Sequence, residues 1–369
     1  MKIVCSKSVL LNAVNTVSKA VPNKTTMSIL ECILIDASSN EIKLIANDTE
    51  LGIETVVEGT IEEKGKIALD AKLLSDIVRN LPDSDVTIVC DSSLKTDIKC
   101  EKANFTIIGK PADEFTYLPK VERFDSILIS QFALKEVIRQ TIFSIADNDN
   151  NKIMTGELFE VSKDVLKVVS LDGHRISIRK INLKNSYDNK KVIVPGKTLN
   201  EISKILPGDA DKDVSIFFTG KHIIFEFNNT VVVSRLIEGE YFKIDQMLSS
   251  DYETKVTINK KEFMDSISRA LLFVKEGDKK PIIINIDDSE LEVKINSTVG
   301  SLDENISITK QGKDLLIGFN PKFVMDALRV IEDEEINMYL VNPKAPCFIK
   351  NSEETYIYMV LPVNFTTVS

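Results

Sequence analysis

The sequence predicts an α+β fold in which one unit of roughly 120 residues, an ordinary domain size, occurs three times along the chain. Three short amphipathic helices follow apolar strands, and their first residues are 125 apart in both intervals: Asp70, Pro195 and Asn320. A second helix is predicted earlier in each unit. Short β-branched stretches separated by turn residues predict antiparallel strands between the helices. We therefore predict three domains, each with two helices packed on antiparallel sheets: residues 1–121, 122–250 and 251–369.

The three helices spaced by 125 residues each begin after a β-like stretch: KIALD, KVIVP and LLIGFN. Asp70 is suited to capping its helix, and prolines at 195 and 321 suit a first helical turn. Apolar residues of the first of these helices lie on the side opposite Lys72: Leu74, Ile77, Val78 and Leu81. Each helix is therefore predicted to bury one face and to expose the other.

The earlier helix of each unit begins at a residue whose side chain can cap it: Ser6, Ser130 and Asn259. Apolar residues then recur at spacings of three and four, as in Leu10, Val14 and Val17. The order of strands and helices is the same in all three units, which favours a true repeat over a chance match.

Composition restricts the class of protein. The chain has 369 residues, 43% hydrophobic and 28% charged, with a formal net charge of -10. No run of eighteen apolar residues predicts a membrane span, and no signal-peptide core is visible, so we expect a cytoplasmic protein with no membrane partner. The five cysteines include no CxxC pair, which favours buried thiols over a disulfide framework or a zinc site.

Basic residues recur at fixed places on the helices spaced by 125 residues. One place holds a lysine in every copy, and the place seven residues later, on nearly the same helical face, holds an arginine or lysine: Lys72, Lys197 and Lys322; Arg79, Lys204 and Arg329. On any single helix a solvated face explains such a pair. Recurrence in all three copies favours a face that holds a polyanion through its phosphates.

Two fragments resemble ligand-binding loops and are rejected. Asp147-NDNN lacks the glycine and the acid that a calcium loop needs, since Lys152 and Leu158 stand at those places. Pro195-GKT lacks the earlier glycine of a phosphate loop, where Lys191 stands. We therefore predict no metal, no cofactor and no catalytic residues.

Four segments carry a resemblance to a known family: Phe115-TYLP, Leu171-DGHRIS, Ser234-RLIEGEYFKIDQML and Tyr358-MVLPVNF. In these motifs, and in their order over the whole chain, the sequence resembles the β subunit of bacterial DNA polymerase III, the sliding clamp family. The resemblance implies three DNA-clamp domains per chain and a head-to-tail homodimer that forms a six-domain ring. It implies a processivity factor, not an enzyme, that encircles double-stranded DNA without sequence specificity.

Such a ring has twelve lining helices. At separations of about 9 Å their axes trace a circle roughly 34 Å across, wide enough for a duplex. The resemblance places these basic residues toward DNA: Lys24, Lys72, Arg79, Lys152, Lys197, Lys204, Lys322 and Arg329. For closure of the ring it implies a contact of Phe105 and Ile107 with Leu271 and Leu272, although all four side chains could instead lie in domain cores.

The resemblance also implies a peptide-binding pocket between domains 2 and 3. Its predicted walls are Met154, Leu171, Gly173, His174, Arg175, Ile176, Phe242, Gln246, Met247, Met359, Val360, Leu361, Pro362 and Val363. The family often has proline and arginine where Phe242 and Gln246 stand here. From the residues alone, Asp172-GHR is equally a turn between strands, with Gly173 at positive φ and Asp172 capping the turn.

The implied partners are the replicative DNA polymerase, the clamp loader, and repair polymerases and mismatch-repair proteins that dock through short linear motifs. The alternative from another class is an enzyme that acts on a nucleotide or a phosphorylated substrate at the basic face.

Overall fold

The computed structural model describes residues 1–119, 123, 125–147, 151–248, 251–274 and 280–365. The chain divides into two compact units, one formed by Met1–Lys135 with Lys197–Leu236 and the other by Glu136–Gly196 with the chain from Ile237 onward. The predicted domain boundary at 121–122 lies outside the described residues, as does residue 250, so the boundaries stay predictions.

All six predicted helices are present: α1 (Lys7–Val17), α2 (Ala71–Asn80), α3 (Gln131–Thr141), α4 (Gly196–Ile205), α5 (Lys260–Leu271) and α6 (Pro321–Val330). The predicted caps are also present where a short polar side chain precedes the helix. Ser6 accepts a hydrogen bond from the Val9 N–H, and Asp70 accepts one from the Leu73 N–H. Asn259 and Asn320 cap α5 and α6 in the same way. These side chains satisfy backbone donors that a helix leaves unpaired at its start.

The described residues form 23 strands, which are numbered in chain order. They begin with β1 (Lys2–Ser6), β2 (Cys32–Asp36), β3 (Ile42–Asn47), β4 (Leu51–Val57), β5 (Thr60–Glu63), β6 (Lys66–Asp70), β7 (Asp85–Cys90), β8 (Lys95–Cys100) and β9 (Ala103–Ile108). They continue with β10 (Ile127–Ser130), β11 (Gly156–Leu171), β12 (Arg175–Pro195), β13 (Asp213–Phe218), β14 (His222–Phe227) and β15 (Thr230–Arg235). The last are β16 (Thr254–Asn259), β17 (Ile282–Ile286), β18 (Glu290–Ser297), β19 (Gly300–Gly312), β20 (Leu315–Phe319), β21 (Glu335–Leu340), β22 (Cys347–Lys350) and β23 (Tyr356–Val360).

The unit that contains the N-terminus has two antiparallel sheets. Five strands follow the order β5-β1-β7-β8-β9, so β9 is an edge strand. Eight strands follow the order β10-β13-β14-β15-β4-β3-β2-β6. In the larger sheet β15 pairs with β4, which joins the first and second copies of the repeat by backbone hydrogen bonds.

The other unit has a ten-stranded antiparallel arrangement in the order β11-β12-β23-β22-β21-β16-β19-β18-β17-β20. Here β12 pairs with β23, which joins the second copy to the third as β15 and β4 join the first two. Strand β19 pairs with β18 through its first part and with β16 through its last part.

The core follows from strand alternation and amphipathic helices. The largest fully buried side chains include Phe159, Phe225, Phe263 and Phe319. All five cysteines are buried as free thiols, as predicted. Burial raises the pKa of Cys5 to about 11 and that of Cys347 to about 12, so both stay protonated at neutral pH. None of the helices in the described part of the chain has the length and apolar composition of a membrane span.

Candidate functional site

The six recurring basic residues are exposed on helices whose opposite face is buried. On α2 the buried residues are Ala71, Leu74, Ile77 and Val78. Helix α6 buries Pro321, Val324, Met325, Ala327, Leu328 and Val330. Lys72, Lys197 and Lys322 are exposed, and so are Arg79, Lys204 and Arg329. The predicted amphipathic arrangement is therefore present in each copy. Contact of these residues with DNA stays a prediction.

An acidic residue lies at one equivalent place on each of these helices: Asp76, Glu201 and Asp326. In α2 and α4 the acid pairs with the base three residues later. Arg79 lies 3.3 Å from Asp76, and Lys204 lies 2.8 Å from Glu201. Such exposed pairs contribute little stability and open easily. Arg79 and Lys204 therefore remain available to a stronger anion.

Two further residues predicted to face DNA lie outside these helices. Lys24 is exposed between two 3-10 turns of the first copy, and Lys152 is exposed in the 3-10 turn Lys152–Thr155 of the second. Lys197 is ion-paired to Asp48, whose side chain is almost fully buried.

The segment Asp172-GHR forms the turn between β11 and β12. The Asp172 Oδ1 atom accepts hydrogen bonds from the backbone N–H groups of His174 at 2.9 Å and Arg175 at 3.1 Å. Gly173 has a φ of 84°, which glycine adopts without a side-chain clash, and it is exposed. The predicted turn is confirmed. The turn also leaves His174 exposed beside the apolar residues described next.

Six of the predicted pocket residues belong to one apolar cluster, here called the Met359 cluster. Leu171, Ile176 and Met359 are buried in it, and Met154, Phe242 and Leu361 are partly buried against it. Its other buried members include Leu158 and Tyr241 from the second copy and Phe348 from the third. The partly buried side chains offer apolar surface at the junction of two copies of the repeat.

The remaining predicted pocket residues have different environments. Gln246 and Met247 are exposed, and 45% of Met247 is accessible. Val360 lies on the opposite face of β23 from Met359 and packs into the core of the third copy, because neighbouring strand residues alternate in direction. Pro362 and Val363 are half-buried, and the Val363 N–H donates to the Gly318 carbonyl at 2.8 Å.

Arg175 is buried and fully engaged. Its Nε lies 3.0 Å from Asp172 and its Nη1 lies 2.7 Å from Asp326 on α6, while its Nη2 donates to the Phe143 carbonyl. The rings of Phe143 and Phe323 lie 5.4 and 4.4 Å from the guanidinium carbon. A planar guanidinium suits this combination of two carboxylates and two rings.

Sequence reasoning missed Phe323 and Asp326. Phe323 stacks on His174 with ring centroids 5.9 Å apart, and Asp326 holds Arg175. A signal for Asp326 was present, because an acid recurs at this place in all three copies. No pattern in the sequence indicates that, of the three acids, only Asp326 pairs with a base on another element, strand β12.

The residues predicted for the ring interface are accessible. Phe105 is 37% exposed on the edge strand β9, and Ile107 is partly buried there. Leu272, directly after α5, is 79% exposed, and Leu271 is partly buried. None of the four is a fully buried core residue. Sequence reasoning missed Ile108, which is 72% exposed on the same edge strand.

In the part of the chain that the structure describes, no group of three or more histidine, cysteine, aspartate or glutamate side chains is arranged to hold a metal ion.

Comparison with known proteins identifies the repeat. Family models of the DNA polymerase III beta subunit match the chain in order, with the N-terminal domain over residues 1–119, the central domain over 128–243 and the C-terminal domain over 245–364. The chain belongs to this family. The predicted resemblance and the α+β fold of three clamp domains are thereby confirmed.

Individual relatives agree along the whole length. The beta sliding clamp of Bacillus subtilis (strain 168) is 34% identical over 376 residues, which cover 98% of this chain and 99% of the relative. The crystal structure of the DNA polymerase sliding clamp from Bacillus subtilis has a TM-score of 0.95 at 33% identity, covering 99% of this chain and 100% of that one. A crystal structure described as a DNA polymerase III beta subunit from Eubacterium rectale has a TM-score of 0.97 at 70% identity. It too covers 99% of this chain and 100% of that one.

Sliding clamps are processivity factors of DNA replication and are not enzymes. The alternative of an enzyme at the basic face is therefore not supported. The Met359 cluster lies where the matched central domain meets the C-terminal domain, since its members come from both.

Proposed function

We propose that two copies of this chain close head to tail into a six-domain ring around double-stranded DNA, with the recurring basic residues against the phosphates. The observation that carries the proposal is that all six recurring bases are exposed on helices whose opposite face is buried. Contacts of this kind hold a duplex without reading its sequence.

A ring resolves the conflict between the net charge of -10 and DNA binding. A chain with this charge repels a polyanion at long range, so affinity alone is a poor means of retention. A closed ring retains DNA by topology. Weak, salt-sensitive contacts from the lining then suffice and leave the duplex free to slide.

Closure of the ring is proposed to use the exposed edge of β9 and the end of α5. An open edge strand with apolar side chains invites pairing with another chain. Phe105, Ile107 and Ile108 would meet Leu271 and Leu272 of a second copy. Burial of these side chains would contribute several kcal/mol, at about 25 cal/mol per Å2 of apolar area.

The Met359 cluster and the Asp172 turn are proposed to form the partner pocket. Apolar side chains with methionines at the rim suit a surface that accepts several apolar peptides. We propose that the replicative polymerase, the clamp loader, and repair polymerases and mismatch-repair proteins dock there through short linear motifs. Polar groups at the turn would fix the direction of the bound peptide.

The first test measures retention on DNA. The clamp loaded on a nicked circular plasmid should remain through gel filtration and should be lost when the plasmid is linearised. Native mass spectrometry should give a dimer. A strict monomer, or equal retention on linear and circular DNA, would contradict the ring.

Charge reversal tests the basic face. Lys72→Glu with Lys322→Glu should reduce retention on the nicked circle at least ten-fold, because two phosphate contacts per chain become repulsive. The charge-matched control is Lys163→Glu with Lys221→Glu, two exposed lysines away from the recurring positions. An equal loss from the control pair would refute a specific role for the helix residues.

A further inference from the structure

Three equivalent acids have two kinds of partner. Asp76 and Glu201 each pair with the base three residues later on their own helix. Asp326 does not follow them, because its nearest base is Arg175, at 2.7 Å on another element. Within the described residues Arg329, the base three places later, has no acidic partner. The third copy has thus exchanged an exposed pair on one helix for a buried pair between two elements.

The exchange changes the energetic weight of the acid. Exposed pairs such as Asp76 with Arg79 contribute little, since water and salt compete for both groups. The side chains of Arg175 and Asp326 are only 9% and 15% accessible, so Asp326 depends on Arg175 for compensation of its charge, and the guanidinium is shared between Asp326 and Asp172. Without Asp326 the guanidinium would keep Asp172 but lose the ion pair that ties it to α6.

Arg175 belongs to the Asp172 turn of the proposed pocket. It follows His174 directly, begins β12, and pairs across the sheet with Val360, so its side chain lies on the face toward α6. The same arginine donates to the carbonyl of Phe143 and lies against Phe323, which stacks on His174. Fixing the guanidinium therefore fixes the turn, the aromatic ring of Phe323 and the exposed imidazole together.

We propose that Asp326 is a positioning residue of the peptide pocket, which acts through Arg175 to set the conformation of the Asp172 turn. The proposal rests on the proposed pocket, and it assigns to α6 a role there besides its exposed basic face. Asp326 itself needs no contact with the peptide. Its effect is on the geometry that the peptide meets.

The decisive variant is Asp326→Asn, which keeps the shape of the side chain and removes its charge. The matched control is Asp76→Asn, the equivalent acid on α2, whose partner is on its own helix. Asp326→Glu serves as the conservative rescue. Thermal melting of each variant establishes that it is folded.

The first readout is the imidazole signal of His174. The chain has only two histidines, so NMR of histidine-labelled protein gives His174 and an internal reference, His222. Asp326→Asn should shift the His174 signal, because the ring of Phe323 moves relative to it, and should leave His222 unchanged. Asp76→Asn should shift neither. An unchanged His174 signal in Asp326→Asn would overturn the proposal.

The second readout is affinity for a fluorescein-labelled hexapeptide that carries leucine and phenylalanine, chosen from a small panel for binding to the unaltered clamp. Asp326→Asn should weaken binding about ten-fold, because a turn that is in the competent conformation only about a tenth of the time raises the apparent Kd by that factor. Asp326→Glu should recover most of the affinity. In an Arg175→Met background, Asp326→Asn should have no further effect, whereas losses that multiply would overturn action through Arg175.

The two readouts separate the inference from the function beneath it. If the unaltered clamp binds no peptide of the panel, the proposed pocket fails, while the His174 signal still tests positioning. If the unaltered clamp binds and Asp326→Asn binds equally well, the inference fails and the pocket stands.

Discussion

The turn at Asp48 and the turn at Asp172 are repeats of each other with the same backbone bonds. Each aspartate accepts, through Oδ1, the N–H groups of the residues two and three places later. The backbone N–H of each aspartate donates to the carbonyl three residues later, at 2.9 Å for Asp48 and 3.3 Å for Asp172. Both turns also bond to the chain beside them in the same way. The backbone N–H of Arg235 donates to the Glu50 carbonyl and that of Leu361 to the His174 carbonyl, both at 2.9 Å.

After the shared aspartate, the side chains on the two turns differ at every place. Gly173 at a φ of 84° corresponds to Thr49 at a φ of 77°, and buried Arg175 corresponds to buried Leu51. The pairing register fixes these equivalences, because Leu51 lies opposite Ser234 in one sheet and Arg175 opposite Val360 in the other. The backbone of the repeat was therefore kept while its chemistry changed.

A second difference lies farther from the turns, on β2 in the first copy and at the start of β11 in the second. Ile33 pairs with Leu69, directly before Asp70, and Glu157 pairs with Val194, directly before Pro195. Both side chains are fully buried, but only one is ionisable. The copy that contributes the Asp172 turn thus carries a buried acid where the first copy has an apolar residue. Sites gain specificity by polar groups that a packed core does not need for stability.

The largest effect is expected when Arg175 in the Asp172 turn is replaced by leucine, the residue at the equivalent place in the Asp48 turn. Arg175→Leu removes the partner of two largely buried carboxylates and should destabilise its unit by about 3–5 kcal/mol. Urea unfolding with hydrogen-exchange mass spectrometry measures the loss and locates it. Adding Asp326→Leu should recover a large part. A loss below about 1 kcal/mol would mean that the ion pair is not effectively buried.

The second prediction exchanges the buried residues of the paired strands. Both carboxylate oxygens of Glu157 lie buried without a hydrogen bond of standard geometry, and the nearby Thr141 hydroxyl donates to the Val137 carbonyl instead. Glu157→Ile should therefore stabilise its unit by about 1–3 kcal/mol at pH 8. The reverse exchange, Ile33→Glu, should destabilise the first copy.

The pH dependence of this effect has a definite sign. Burial raises the pKa of Glu157 well above its ordinary value of 4.5, so the folded chain keeps the proton to a higher pH than the unfolded chain. Unfolding then releases a proton, and stability falls as pH rises above 4.5 toward the pKa of the folded state. Glu157→Ile should remove this fall. Parallel stability–pH curves for both proteins would refute a buried neutral acid.

The smallest effect concerns the positive-φ residues of the two turns. Gly173→Ala should destabilise by about 1 kcal/mol from backbone strain alone, because an added Cβ meets no atom within 4 Å. Thr49→Gly should stabilise by about 1 kcal/mol, since a β-branched residue is strained there. Thermal melting of the two variants should give shifts of opposite sign. Shifts of the same sign would show that side-chain contacts outweigh the backbone at one of the turns.

Much of the fold was predictable from local signals. The spacing of 125 residues, the caps at Asp70 and Asn259 and the alternation of β-branched residues are properties of short segments. They therefore indicate helices, strands and the threefold repeat without knowledge of the tertiary structure. The Asp172 turn was predictable for the same reason, since glycine at positive φ and an aspartate that accepts nearby N–H groups act over four residues.

The candidate site was predictable only in part. Leu171, Ile176 and Met359 could be assigned through the family resemblance, and the structure packs them in one cluster. The family resemblance also assigned Val360 to the pocket, but the direction of its side chain depends on the register of β23. A shift of one residue in register exchanges the two faces of a strand, and sequence fixes register weakly when both faces are apolar.

The sequence by itself determined the three clamp domains, the exposed basic residues on their helices and the backbone of the turns, because these depend on periodicity and on neighbours within a few residues. The tertiary structure alone decided that Asp326 pairs with Arg175, although Asp76 and Glu201 pair within their helices. That choice joins residues 151 positions apart. It depends on burial, because opposite charges attract far more strongly in the interior than at the surface. No local sequence pattern encodes burial.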